Sequence, residues 1–440
     1  MSSTIMTALL PPANSSLLRT LTPTEPHYPF YHPTGASILP FMTDKVTSLL
    51  VPIVAYWVFS LIWHAIDCAE LPFFEKYRIH ESEEVLARNR ATVGEVIKAV
   101  VIQQVVQTAL GMVWLESEEE ILKREVWRDH TSDMKGLAGV LGSGLQVLLG
   151  EKTALAAARL LGGEKVTGWV YWWGVPLLQM GFAFFIIDTW QYFLHRLFHT
   201  VPFLYRHFHS VHHRLYVPYA FGALYNHPIE GLLLDSLGAV LAHSAAGMTV
   251  RQSIVLFGIS TIKTVDDHCG YNIWWDPFQA VFGNNTEYHD LHHQSWGIKK
   301  NFSQPFFTKW DEILGTRMSA EQAAKMYARR AAAKAEALAH ALEEKVEESV
   351  VQVEEKVIKP VLEVGHDVVA AIKGDIVEQH DQESEEESGR GTPVEEIDSG
   401  VELEEIKTRD RESVVGKTTG LQITPNGGQG VQTRSRARRT

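Results

Sequence analysis

Four apolar stretches in the first 318 residues have lengths suited to a lipid bilayer. A transmembrane helix needs about 20 predominantly apolar residues. Residues 46–66 and 168–190 meet this requirement, and residues 93–114 are a weaker candidate because two charged residues lie near their start. Residues 229–262 are too short for two full crossings, so the pattern predicts a helical hairpin that need not reach the far side.

The pattern divides the chain into four parts. Residues 1–40 carry Pro, Ser, Thr and Asn without apolar periodicity, which predicts a flexible leader. Residues 41–318 form the predicted membrane-embedded domain. Residues 319–380 are rich in Ala, Glu and Lys and predict a charged helical segment. Residues 381–440 are acidic and contain too few apolar residues to fold, so we expect a disordered tail.

Composition excludes some classes of protein. The formal net charge is -13, but the acidic excess lies mostly in the tail and therefore says little about the substrate. No basic patch with interleaved aromatic residues indicates nucleic-acid binding. The two cysteines, Cys68 and Cys269, cannot form a disulfide framework or a zinc–thiolate site.

Histidines are clustered in three short motifs, one with the spacing His-x3-His and two with the spacing His-x2-His-His. On a helix, residues at i, i+3 and i+4 lie on one face, so each motif presents its imidazoles together. A single catalytic zinc takes about three protein ligands, which is fewer than the motifs supply. The clusters therefore predict a two-metal site. Its eight predicted ligands are His195, His199, His209, His212, His213, His289, His292 and His293.

Two further histidines are weaker ligand candidates. His268 follows the apolar hairpin and precedes the third motif, and His227 lies in an Asn-His-Pro turn that could equally start a helix. His207 is off the face shared by its neighbours and is not expected to bind metal. Ligating histidines usually donate their second nitrogen to a carboxylate or carbonyl. The predicted carboxylate partners are Asp188, Asp266, Asp267, Glu287 and Asp290.

The surroundings of the histidines favour oxidation of a lipid. The chain contains neither His-Glu-x-x-His nor Gly-x-Ser-x-Gly, the motifs of two hydrolase classes. A metal transporter would carry His and Asp in the middle of its spans, whereas these motifs follow the ends of apolar stretches. Cleavage of an unactivated C–H bond needs a redox-active metal, which zinc is not. We therefore expect two irons.

The three histidine motifs resemble those of the membrane fatty acid hydroxylase/sterol desaturase superfamily. The segment after the third motif, from Phe302 through Trp310-Asp311 to Gly315-Thr316, is also similar. Residues 185–228 and 266–271 resemble, within this superfamily, the fungal sphinganine C4-hydroxylases. The resemblance covers roughly residues 46–318 and leaves out the leader and the acidic tail.

The resemblance implies a di-iron monooxygenase that hydroxylates C4 of sphinganine or dihydroceramide. It implies the eight motif histidines as iron ligands, His268 as a ninth, and His227 more weakly. It also implies electrons from NADH or NADPH, delivered through a reductase and cytochrome b5. No His-Pro-Gly-Gly haem loop occurs in the chain, so cytochrome b5 is expected to be a separate protein.

The sequence thus predicts an all-α fold, a multi-span membrane bundle with a histidine-rich di-metal cap. Arg and Lys surround the motifs, which favours a cytosolic catalytic face, and the resemblance implies the endoplasmic reticulum membrane. Two alternatives stay open. One is a sterol desaturase or C4-methyl oxidase with similar motifs, and the other is a catalytically silent lipid-binding scaffold.

Overall fold

The computed structural model describes residues 11–32 and 35–386. These residues are mostly helical, and the only β-type pairing among them is an isolated bridge between Arg78 and Tyr271. The chain divides into two compact units, Met1–Glu336 and Ala337–Thr440. The predicted all-α class is therefore confirmed for the described part of the chain. All features of the candidate site lie in the first unit.

Three long apolar helices of the described residues are able to cross a membrane. They are α2 (Asp44–Ala69), α5 (Val93–Trp114) and a continuous helical segment, Glu164–Thr200. The third consists of α9 (Glu164–Trp169), a π-helical turn (Val170–Gly174) and α10 (Val175–Thr200). Each is at least 22 residues long, which at 1.5 Å per residue is enough for the hydrocarbon core.

Shorter helices connect these spans. Before α10 they are α1 (Ser15–Leu21), α3 (Pro72–Glu75), α4 (Ser82–Arg88), α6 (Glu118–Glu125), α7 (His130–Leu149) and α8 (Glu151–Leu160). After α10 they are α11 (Pro202–His207), two 3₁₀ turns (His209–Arg214 and Ala220–Leu224), α12 (Pro228–Gly231), a π turn (Leu232–Leu237), α13 (Gly238–Ala245), α14 (Val250–Asp267), α15 (Pro277–Val281), α16 (Thr286–His293) and α17 (Lys309–Ile313).

The predicted hairpin over residues 229–262 is present as α12 to α14. Gly247, with φ +62°, lies in the turn between its two arms. α14 begins at a capping box formed by Thr249 and Gln252, which satisfies backbone N–H groups of its first turn. The hairpin consequently returns the chain to the level of the histidines at the end of α14.

The largest buried cluster joins α2 to the loops that carry the second histidine motif. Tyr56 on α2 is fully buried and donates its hydroxyl to the carbonyl of Phe221 at 2.7 Å. Trp63, two turns further along α2, stacks on Tyr271 with ring centroids 5.6 Å apart. These contacts hold the polypeptide on both sides of the histidine region against one rigid span.

Part of the predicted leader is structured. Asn14 caps α1 by accepting a hydrogen bond from the N–H of Ser16 at 2.7 Å. Leu17 and Leu21, one turn apart, are 1% and 0% exposed and pack against the alanines of α7 and α8. Two leucines at i and i+4 form too short a pattern to predict a docked helix from sequence alone.

The described residues from Ala320 onward are helical. α18 (Ala320–Val353), a π turn (Glu354–Ile358) and α19 (Lys359–Glu386) cover the predicted charged helical segment. The helix continues six residues past 380, the predicted start of the disordered tail. The remainder of that tail, residues 387–440, lies outside the described residues, as do residues 1–10 of the leader.

Candidate metal centre

Four segments of the chain bring the histidines together, namely α10, the 3₁₀ turn His209–Arg214, the end of α14 and α16. His195 and His199 lie on the last turns of α10, directly after its apolar part. The third motif lies on α16, where the side chain of Asn285 caps the helix by accepting from the N–H of Tyr288. The second motif is 3₁₀ rather than the predicted α-helix. A 3₁₀ turn has three residues per turn, so His209 and His212 lie almost directly above one another.

The histidines form two groups. Within each group, every histidine offers one ring nitrogen, and these nitrogens all lie within 4.8 Å of one another. Neither group corresponds to a single motif, since the adjacent residues His212 and His213 belong to different groups. The first group contains His195, His199, His209, His213 and His292. The second group contains His212, His268, His289 and His293.

In the first group, the Nε2 atoms lie closer together than two nitrogen atoms whose lone pairs repel each other would lie. The Nε2 atom of His209 lies 2.7 Å from that of His199 and 3.0 Å from that of His195. The Nε2 of His213 lies 3.2 Å from that of His199. The side chains of His195, His209, His213 and His292 are buried, and that of His199 is half-buried.

The second group is similar and includes His268. Its Nε2 lies 3.0 Å from the Nε2 of His289, which in turn lies 3.1 Å from the Nε2 of His293. The ring of His212 is 4.6 Å from that of His293. His268 terminates α14, so the hairpin supplies a fourth histidine beside three from the motifs.

Backbone carbonyls determine which nitrogen of each imidazole faces inward. The Nδ1 of His195 lies 2.8 Å from the carbonyl of Phe302, that of His292 lies 2.7 Å from Lys300, and that of His293 lies 2.7 Å from Leu215. An imidazole that donates from Nδ1 presents an unprotonated Nε2. His212 and His268 use the carbonyls of Tyr225 and Thr264 in the same way.

These groups fit metal cations. Burial lowers the pKa of His212 to about 4 and that of His292 to about 3, so both imidazoles are neutral at physiological pH. The Nε2 of His292 is buried and has no hydrogen-bond partner. Several neutral Nε2 lone pairs that face one another need a shared cation, because a buried polar atom without a partner is costly.

Among the described residues, one carboxylate bonds to an imidazole of these groups, and it was not among the carboxylates predicted from the sequence. The Nδ1 of His209 lies 2.5 Å from Oε1 of Glu230, and both side chains are buried. Glu230 is the third residue after His227 and lies on α12. The signal available in the sequence was a glutamate at the start of an apolar stretch, because a glutamate that becomes buried is rarely left without a partner.

The five carboxylates predicted as partners bond elsewhere, and none of their hydrogen bonds within the described residues reaches a grouped imidazole. Asp188 accepts from the backbone N–H groups of Phe306 and Phe307. Asp267 pairs with Lys263, and Asp290 accepts from the Nε2 of His80. Asp266 and Glu287 accept from the side-chain amides of Gln279 and Asn272. Backbone carbonyls take the role expected of these carboxylates.

His227 and His207 lie outside both groups. The ring of His227 caps α12, where its Nδ1 accepts from the N–H of Ile229 at 3.2 Å. This is the helix-start alternative that the Asn-His-Pro turn left open. His207 is exposed, and its Nδ1 donates to the carbonyl of Phe203. It belongs to neither histidine group.

Comparison with known proteins agrees with this geometry. Residues 180–316 match the model of the family described as fatty acid hydroxylase. A sphingolipid C4-hydroxylase of Schizosaccharomyces pombe is 45% identical over 65% of this chain and 92% of its own length. The chain belongs to the fatty acid hydroxylase family. The predicted resemblance to this family is thereby confirmed.

Two further relatives cover much the same region. A sphingolipid C4-hydroxylase of Saccharomyces cerevisiae is 44% identical over 64% of this chain and 74% of its own length. A sphinganine C4-monooxygenase of Arabidopsis thaliana is 41% identical over 63% and 89%. No solved structure matches the chain. The prediction of a membrane oxidoreductase of this family is confirmed, and the histidine groups indicate a metal-dependent one.

Proposed function

We propose that this family member is a di-iron monooxygenase that hydroxylates C4 of a sphingoid base or ceramide. The observation that carries the proposal is the presence of two histidine groups side by side, to which the adjacent residues His213 and His212 contribute one imidazole each. The names of the relatives from yeasts and a plant support C4 of a sphingolipid as the position of hydroxylation.

The eight motif histidines and His268 would hold the two irons. When bound, the irons would activate dioxygen, so that one oxygen atom enters a C–H bond and the other leaves as water. The protein's part is positioning. Backbone carbonyls hold the imidazole rings in the tautomer that presents Nε2 inward. Once iron is bound, the carboxylate of Glu230 would hold the ring of His209 and increase its basicity.

An apolar cavity within the membrane helices would admit the lipid chain. Its wall includes Leu49 and Ile53 of α2, Leu110 of α5 and Phe257 of α14. Its inner end includes Gln191, which lies one turn before His195 on α10. A chain that enters this cavity from the bilayer would therefore end next to the histidines.

We further propose that the histidines face the cytosol from the endoplasmic reticulum membrane. Positive residues are enriched on the cytosolic side of membrane proteins, and Arg196, Arg206, Arg214, Lys299 and Lys300 flank the three motifs. α10 would then cross from lumen to cytosol. Cytochrome b5 and its reductase would deliver electrons from NADH or NADPH at the same face.

Mass spectrometry of sphingoid bases tests the proposed function. Cells that lack their own C4-hydroxylase should form 4-hydroxylated bases when they express this chain and none when they express its His292→Ala variant. Sterols should be measured in the same extracts. A change in C4-methyl sterols or sterol unsaturation without new 4-hydroxy base would favour the sterol-modifying alternative. A chain without bound iron or oxygen consumption would favour the lipid-binding scaffold.

A further inference from the structure

The apolar cavity and the histidine groups meet at a narrow junction with a carboxylate in it. A second, smaller pocket touches His212, His268 and His289. The two spaces share four lining residues, which are Gln191, Asp235, Thr264 and Pro305. Anything bound at this junction therefore lies both at the end of the apolar cavity and beside the second histidine group.

One carboxyl oxygen of Asp235 has no hydrogen-bond partner among the described residues. This oxygen, Oδ2, is buried. An ionised carboxylate that leaves water without a cation or donors loses several kcal/mol of solvation. The other buried carboxylates near the histidines, such as Asp188 and Asp267, are bonded to backbone N–H groups or to a lysine. Asp267 lines only the smaller pocket and Asp188 lines neither space, whereas Asp235 lines both.

The local backbone is built to direct Asp235 into this space. It lies in the π turn Leu232–Leu237, which inserts a residue into the helix, and such turns occur frequently at functional sites. Side chains of neighbouring helices donate to two backbone carbonyls, one in the turn and one in the residue directly before it. Trp190 donates to Leu233 at 2.8 Å, and Gln107 donates to Gly231 at 3.2 Å.

We propose that Asp235 binds the cationic 2-amino group of a free long-chain base and so selects it over an N-acylated lipid. This inference rests on the proposed function, because it concerns the substrate of the same site. C4 is two bonds from the carbon that bears nitrogen, so an amine at Asp235 leaves C4 in the pocket that touches the histidines. The remaining alkyl chain has the apolar cavity available to it.

Charge distinguishes the two lipid classes. A primary ammonium donates up to three hydrogen bonds and neutralises the carboxylate, whereas a ceramide amide is uncharged and donates one. A charge-assisted hydrogen bond contributes about 1.5–3 kcal/mol, equivalent to roughly 10-fold or more in affinity. We therefore expect the protein to favour free sphinganine over dihydroceramide by at least this ratio.

Binding to the purified full-length protein gives a test that is independent of turnover. Hexadecylamine and hexadecanol would each compete against a fluorescent long-chain amine, with the metal-loaded protein kept anaerobic and without reductant so that no turnover occurs. The wild-type protein should prefer the amine about 10-fold, and Asp235→Asn should reduce that preference to about 1. Glu118→Gln, which likewise replaces a carboxylate by an amide but at an exposed position on α6, should retain the preference for the amine. Equal binding of both probes by the wild-type protein overturns the proposal.

Turnover in membranes distinguishes recognition from other roles of Asp235. Substrates would be sphinganine, dihydroceramide and a 1,3-diol of the same length without nitrogen. Asp235→Asn should lower kcat/KM about 10-fold for sphinganine and leave the diol nearly unchanged. An equal loss for all three substrates would assign Asp235 to proton transfer or to folding and reject amine recognition. Absence of any 4-hydroxy product from the wild-type enzyme would instead contradict the proposed function, while the binding result would stand.

Discussion

His209 and Glu230 form the one contact between a carboxylate and a grouped imidazole among the described residues. Their Nδ1 and Oε1 atoms lie 2.5 Å apart in a buried environment. The carboxylate fixes the ring with Nε2 directed toward His199, 2.7 Å away. Within the proposed di-iron site, this contact stabilises one ligand electrostatically, where the other rings rely on uncharged carbonyls.

Replacement of Glu230 should therefore weaken metal binding. Glu230→Gln retains an oxygen that accepts from His209 but removes the negative charge, and we expect iron retention and activity to fall roughly 10- to 100-fold. The matched control is Glu287→Gln, because Glu287 is exposed and bonds Asn272 instead of a histidine. Iron content after dialysis and product formation measure both variants. Equal losses in the two would contradict the assignment.

Removal of one histidine from either group should abolish hydroxylation. His195→Ala and His292→Ala alter the first group, and His212→Ala alters the second. Insertion into the membrane should be unaffected, since one imidazole does not decide whether an apolar helix enters a bilayer. His207→Ala and His227→Ala serve as controls and should keep most of the activity. Near-normal product from any of the first three would be incompatible with a site that needs both groups.

Protein made with ample iron should contain about two irons per chain, one for each histidine group. Elemental analysis of purified protein checks this ratio. Zinc in a preparation would not decide the matter, because zinc binds most nitrogen sites more tightly than ferrous iron. Reconstitution does decide it, since activity should return with ferrous iron and not with zinc. Activity restored by zinc alone would rule out the proposed oxidant.

Two truncations of the C-terminal part of the chain should differ in their effect on activity. Deletion after residue 380 should leave activity within about twofold, because that segment has the composition of a disordered tail. Deletion after residue 319 should lower activity and thermal stability. It removes Tyr327, which donates to Asp290 at 3.2 Å, and Arg330, which pairs with Glu84. Tyr327→Phe should reproduce part of the effect. Identical behaviour of the two truncations would show that α18 does not support the helix of the third motif.

Chemical labelling tests the shared cytosolic face. In a Cys68→Ser background, which removes the exposed native thiol, Arg206→Cys and Ser295→Cys should both react with an impermeant thiol reagent added from the cytosol. Gly297 is unsuitable because a Cβ there would lie 1.7 Å from the carbonyl of Leu291. Lys152→Cys, beyond the opposite end of the third span, should react only after the membrane is opened. Luminal labelling of either 206 or 295 would refute the shared face.

The sequence by itself determined the parts that depend on local pattern. Apolar length predicted the spans, and α5 has the predicted bounds, Val93–Trp114, because a capping box at Thr92 and Glu95 starts the helix there. Spacing at i, i+3 and i+4 identified the eight clustered histidines. The position of His268 after an apolar hairpin marked it as a further candidate, since a hairpin must return its end to the face where it began.

Only the tertiary structure decided how these parts combine. His212 and His213 are adjacent in sequence but belong to different groups, because their side chains point in different directions, His213 toward His199 on α10 and His212 toward His268 at the end of α14. Tertiary packing also places Glu230 beside His209 and Asp235 at the junction of two cavities. Carbonyls of Phe302 and Lys300 replaced the expected carboxylates, since backbone acceptors carry no signal in the side-chain sequence. Contacts between distant segments depend on packing, which local periodicity does not encode.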